Sequence, residues 1–171
     1  DRFVKDFHTT YRIHPVESGW GVAGKVWPRP SPWFSPVKDV KEGAARLRAF
    51  AVAKGYPDSI RQRWFDFADE AARYRPGSPW IRPIEYMMKK LLPLADELPR
   101  GSIAVRLDRT DCELDAKAGE ACMALVRHVM WCEILKSLET TSGIFQILHA
   151  FEGIYNDRVR RLGRLTFEDI Q

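Results

Sequence analysis

Residues Ile144–Gln171 read IFQILHAFEGIYNDRVRRLGRLTFEDIQ. Ile144, Ile147, Leu148, Phe151, Ile154, Tyr155, Val159 and Leu162 recur at steps of three or four, the spacing that lays side chains along one face of an α-helix. Gly163 then reads as its C-terminal cap, and Arg158, Arg160 and Arg161 fall in the last turn, where cations oppose the negative end of the helix dipole. Thr166 reads as the N-cap of a further helix with Glu168 and Asp169 in its first turn. A chain that begins at Asp1 and stops inside a helix start is expected to be a domain excised from something longer.

Upstream, Thr110 and Glu113 form a capping box for a long helix reaching Leu138, with Leu114, Ala118, Ala121, Cys122, Leu125, Val129, Cys132 and Leu135 as its apolar stripe. Thr140, Thr141 and Ser142 then separate it from the closing helix, which predicts an antiparallel helix pair over residues 111–163. Residues 37–100 are expected to be helical. One helix is capped by Ser35, opened by Pro36 and ended by Gly55; a second runs from Asp58 to Tyr74; a third starts near Pro83 and stops or kinks near Pro93. The SIAVRL run at 102–107 fits a short strand or a loop. Residues 1–36 carry Gly19, Gly21 and Gly24 and then Pro28, Pro30, Pro32 and Pro36 among tryptophans, and are expected to be irregular, with room for one or two short strands between Val16 and Val26. The expected fold is mainly α: a single compact domain over 1–171 of five to six helices, with residues 164–171 leading into a junction.

That junction is also where a family likeness lies. Tyr155, Arg160, Arg161, Gly163, Leu165, Thr166, Phe167, Glu168, Asp169 and Ile170 resemble the segment of UvrD/RecB/AddA-type superfamily 1 DNA helicases that leads from subdomain 1B back into the first ATPase core subdomain. Nothing before about Asp111 shares the likeness. The resemblance implies a parent chain that hydrolyses ATP with magnesium, translocates on DNA and serves DNA repair and recombination. This piece would then be an accessory subdomain that guides single-stranded or forked DNA over the motor core, with Thr166, Phe167, Glu168 and Asp169 docking on that core rather than catalysing. It implies no catalytic, cofactor or metal residue within the piece itself.

The residues taken alone agree on the absence of a nucleotide site. Gly19–Val26 matches GxxxxGK but places Val26 where Ser or Thr must reach magnesium, and Pro28 and Pro30 forbid the helix whose first turn would hold phosphates. Cys122, His128 and Cys132 lack the closely paired ligands of a zinc site and fit an apolar stripe. Asp108, Asp111, Glu113 and Asp115 lack the order of a calcium loop and read as an acidic helix start. His8, His14, His128 and His149 are scattered without a nucleophile pattern.

Cations interleaved with aromatic rings remain as the binding signal, because cations track a phosphate backbone while rings stack bases. Candidates for contact with DNA are Lys25, Arg29, Trp27 and Trp33 in the irregular segment, and Arg158, Arg160, Arg161 and Arg164 as the densest basic cluster. Arg46, Arg48, Arg61 and Arg63 line helices either as a DNA face or as a solvated face with Asp66, Asp69 and Glu70; the tryptophans, Trp20 included, either stack bases or pack the core. Two other classes stay open: a stand-alone helical nucleic-acid-binding module and a helical protein-interaction domain. Net charge of +4 and a pI near 9.1 suit a polyanionic partner. Three cysteines, an odd number, argue against a disulfide scaffold and for a reducing cytoplasm, and no apolar run of about 18 residues suggests a membrane span.

Overall fold

The computed structural model describes residues 2–13, 20–22, 33 and 35–163, with side chains from Lys5 onward. Among them the protein is mainly helical, with a single two-stranded antiparallel sheet. The elements are α1 (Arg2–Ile13), α2 (Val40–Ala53), α3 (Asp58–Arg73), α4 (Arg82–Leu91), β1 (Ile103–Leu107), β2 (Thr110–Leu114) and α5 (Ala116–Arg158), with 3-10 turns at Leu92–Leu94, Leu98–Arg100 and Arg160–Leu162. By its internal contacts the chain divides into two compact units, Ser31–Leu135 and Asp1–Pro30 with Lys136–Gln171.

The larger unit is built on the apolar stripes of α2, α3 and α4. Leu47, Ala51, Trp64, Phe67, Ala68, Ala71, Ile84 and Leu91 are completely removed from solvent. Burying each large side chain of this set contributes on the order of 1.5–3 kcal/mol. Pro83 near the start of α4 and the 3-10 turn at Leu92–Leu94 bracket that helix as its prolines require. Against this layer lies the hairpin, in the register Ile103↔Leu114 to Leu107↔Thr110. Its buried residues Val105, Leu107, Cys112 and Leu114 alternate with exposed Ala104, Arg106, Asp111 and Glu113, the period of a half-buried sheet. Asp108 takes the left-handed turn position with φ 53, and its amide donates to the Tyr86 hydroxyl at 3.0 Å.

Two expectations are corrected here. Thr110–Leu114 is a strand, so Thr110 and Glu113 form no capping box; Asp115 caps α5 instead, its carboxylate accepting from the Ala118 amide at 2.8 Å. The strand prevails because Cys112 and Leu114 share its buried face, an alternation that one helical face does not give. Helix α2 likewise starts at Val40 rather than at Pro36. At Gly119 the backbone of α5 comes so close to the Leu98–Arg100 turn that a Cβ would collide with the Leu98 carbonyl oxygen. The three thiols all belong to this unit, and Cys112, Cys122 and Cys132 are buried and free.

The smaller unit, with α1 and residues from Lys136 of α5, overturns two more expectations. Residues 2–13, expected to be irregular, are helical because Phe3, Val4, Phe7 and Tyr11 already carry helical spacing. Tyr11 and Trp20 are buried with Phe145 and Leu148, and ring centroids lie 5.4 Å apart for Tyr11–Phe145 and 5.8 Å for Trp20–Phe145. The predicted antiparallel pair over 111–163 does not form: α5 runs unbroken through Thr140, Thr141 and Ser142. The hydroxyls of Thr140 and Thr141 donate to the carbonyls of Lys136 and Ser137 at 2.8 and 2.9 Å, staying within the helix rather than competing with it. Weak helix formers here cost up to about 0.7 kcal/mol each and glycine about 1, less than the gain from burying Leu138, Phe145 and Leu148 on either side. Any strands between Val16 and Val26 fall largely outside the described residues.

Candidate nucleic-acid interface

The end of α5 carries the described part of the basic cluster. Its apolar positions do not form one buried face, as their spacing suggested, but two. Phe145 and Leu148 turn into the small core, whereas Ile147, Phe151 and Ile154 are 71%, 50% and 56% exposed. Phe151 stacks on Tyr155, with centroids 5.9 Å apart and planes 21° from parallel. Leu162, in the following turn, is also exposed, and Gly163 closes that turn in the left-handed conformation, φ 69 and ψ 15, as a C-terminal cap.

On the buried face, one helical turn beyond Leu148, lies Glu152, the only charged side chain buried among the described residues. It accepts hydrogen bonds from His8 Nε2 at 2.6 Å, Arg12 Nε at 3.3 Å and Arg160 Nη1 at 3.3 Å. Burial pushes its carboxyl upward, but the hydrogen bonds from His8 and Arg12 and the charges of Arg12 and Arg160 outweigh this and hold it below the ordinary glutamate value. Arg160 also donates to Asn156 Oδ1 at 2.6 Å and lies 5.3 Å from the Tyr155 ring centre.

Of the residues the sequence offered for DNA, the structure therefore gives Arg160 a structural post. Arg161 pairs with Asp157 at 3.0 Å in an exposed ion pair of the kind worth 0–1 kcal/mol, roughly, and so readily given up. Arg158, the last residue of α5, is exposed. Trp33 is half-buried against the core of the larger unit rather than displayed. Trp20 is buried as well. Lys25, Arg29, Trp27, Arg164, Thr166, Phe167, Glu168 and Asp169 lie outside the described residues.

Arginines of the larger unit form a solvated, acid-paired face: Arg46 with Glu42, Arg48 with Asp69, Arg61 with Asp58 and Arg63 with Asp108. Arg48 and Arg63 further cover the Phe65 and Tyr86 rings at 4.4 and 4.6 Å. Sequence reasoning missed a different set. A groove of about 650 Å³ in the larger unit is lined by Lys38, Lys41 and Arg75 together with Trp131, His128 and Leu135. In sequence these cations are isolated among ordinary surface residues, and only a helix pattern that places Trp131 off the buried stripe of Leu125, Val129 and Cys132 hints at them.

His128 Nε2 donates to the Tyr74 carbonyl at 3.0 Å; burial lowers its proton affinity, opposed by that hydrogen bond and aided by the charge of Arg75. Cys132 Sγ shares that carbonyl at 3.8 Å, and burial pushes its thiol upward. Cys122 is wholly buried, its thiol raised by burial alone. Among the described residues no group of three or more His, Cys, Asp or Glu is placed to hold a metal ion. Nor, among them, is any helix long and apolar enough to cross a membrane. Comparison with family models, with curated proteins and with solved structures finds no match to this chain.

Proposed function

We propose that this chain is an accessory helical domain of an ATP-dependent, UvrD/RecB-like DNA helicase or helicase–nuclease of repair and recombination, guiding DNA beside a motor core and turning over no ATP by itself. One observation carries this. The exposed face Ile147, Phe151 and Ile154 leads directly into the arginine-bearing turn Arg160–Leu162 and the Gly163 cap, where the resemblance to the helicase junction lies. Apolar side chains of that size at such exposure gain by being covered, and a motor core joined through Thr166, Phe167, Glu168 and Asp169 supplies the cover.

The same face favours a second reading, a helical protein-interaction domain that docks a separate partner. Two measurements divide them. In the parent reading frame the helicase reading expects a GxxxxGK[ST] motif upstream and an apolar stretch ending in Asp-Glu downstream, with ATP and magnesium acting there. Absence of both motifs sinks it. Purified chain, free of contaminating ATPase, is expected to hydrolyse no ATP with or without DNA; turnover that co-purifies with the folded chain overturns the assignment of the motor to another domain.

A further inference from the structure

We propose that the groove of the larger unit is a binding site for single-stranded DNA, with phosphates held by Lys38, Lys41 and Arg75 and a base stacked on Trp131. This rests on the DNA-guiding reading above and names the surface that would do it. Three cations and one large ring line one depression, alongside the His128 ring. The cations are exposed, and none forms an ion pair with a carboxylate among the described residues. Among the described residues the Arg75 guanidinium donates to the backbone carbonyls of Ala72 and Tyr74, at 3.4 and 2.7 Å, which orients it without neutralising it.

Two carboxylates also line the groove, Asp39 and Glu42, but Glu42 is bound by Arg46. Asp39 makes no capping bond to α2, so among the described lining residues two acids, one of them ion-paired in the open, face three cations. The balance in the groove is thus positive, and the first turn of α2 adds its partial positive charge. Trp131 of α5 is partly buried but lines the groove, and bases of any identity stack on an indole, which matches a path that must pass every sequence. Duplex DNA presents no free base face to such a ring, so the single strand is the form this chemistry recognises.

The test is a fluorescence-anisotropy titration of the whole chain with a short labelled oligothymidylate across a salt series, followed in parallel by intrinsic tryptophan quenching. Three phosphate contacts predict a slope of log affinity on log salt of about −2, and Lys38→Gln with Lys41→Gln is expected to cut it to about −0.7. Trp131→Ala should weaken binding about 5- to 150-fold, the range seen for loss of one stacked base. Trp131→Phe, which keeps a ring and guards against a folding defect, should bind nearly as the wild type while losing the quench. Asp39→Asn should tighten binding.

If the chain binds the strand but these substitutions leave affinity, slope and quench unchanged, the groove assignment is overturned while the accessory-domain reading stands. Absence of binding at low salt overturns the groove as well, and the motor motifs of the parent frame then decide the broader reading separately. Tighter binding of oligouridylate than of oligothymidylate overturns the assignment to DNA.

Discussion

A glutamate that is only 7% exposed stays ionised only where cations and donors replace the lost solvent, and Glu152 has three such partners. Two of them, His8 and Arg12, are on α1, so this one side chain ties α1 to the end of α5. Its folded proton affinity is lowered, so the stability it contributes is fully present above the unfolded glutamate value of about 4.3 and fades as pH falls through the lower folded value. Glu152→Gln is expected to cost about 1.5–3 kcal/mol at neutral pH. Urea titrations at pH 7 and near pH 3 should show this gap closing in acid; a gap that persists there would mean that lost packing, not charge, sets the cost. Nothing at sequence level singled out Glu152, because a glutamate in an apolar stripe looks like solvent-facing punctuation until its partners on α1 are known.

Helix α5 shows how far periodicity carries and where it stops. Its stripe from Ala118 to Cys132 was legible, since Ala118, Ala121, Cys122, Leu125, Val129 and Cys132 are all buried. Its continuity was not, because the Thr140–Gly143 run has the composition of a turn and only the tertiary burial around it makes helix the better state. The neighbouring hairpin was half legible: β1 shows in SIAVRL, while β2 was hidden by an acidic pattern that equally suits a helix start. Two glycines on α5 give opposite expectations from the same substitution. Gly143→Ala meets nothing within 4 Å and should stabilise by about 0.5–1 kcal/mol through helix propensity. Gly119→Ala drives its methyl against the Leu98 carbonyl and should destabilise by about 1–3 kcal/mol or more. Denaturation midpoints of the two variants should move in opposite directions, and a gain in stability at Gly119 would contradict the close approach.

Across the whole molecule, the fold class was readable from apolar spacing and proline placement, whereas the division into two units was not, because residues 136–171 join the chain's opening rather than the helices before them. The binding surface was still less legible. Arginines that look free in sequence, such as Arg46, Arg48, Arg61 and Arg63, meet acids from elsewhere on the same or a neighbouring element. Lysines that look ordinary, Lys38 and Lys41, share a groove with a tryptophan some ninety positions away in sequence, at Trp131. Charge density along a chain finds cations; only the fold shows which of them are already spent.

Two buried thiols offer a clock. Cys112 and Cys122 are completely removed from solvent and, unlike Cys132, are not among the residues lining the groove; both sit in the larger unit, so a thiol reagent reaches them only when that unit opens. Labelling followed by mass spectrometry therefore counts openings of one unit without hearing those of the other. Glu152→Gln, which loosens the smaller unit, is expected to leave the labelling rate unchanged, while Gly119→Ala should hasten it; a strand bound in the groove, by favouring the closed form, should slow the clock in proportion to its occupancy.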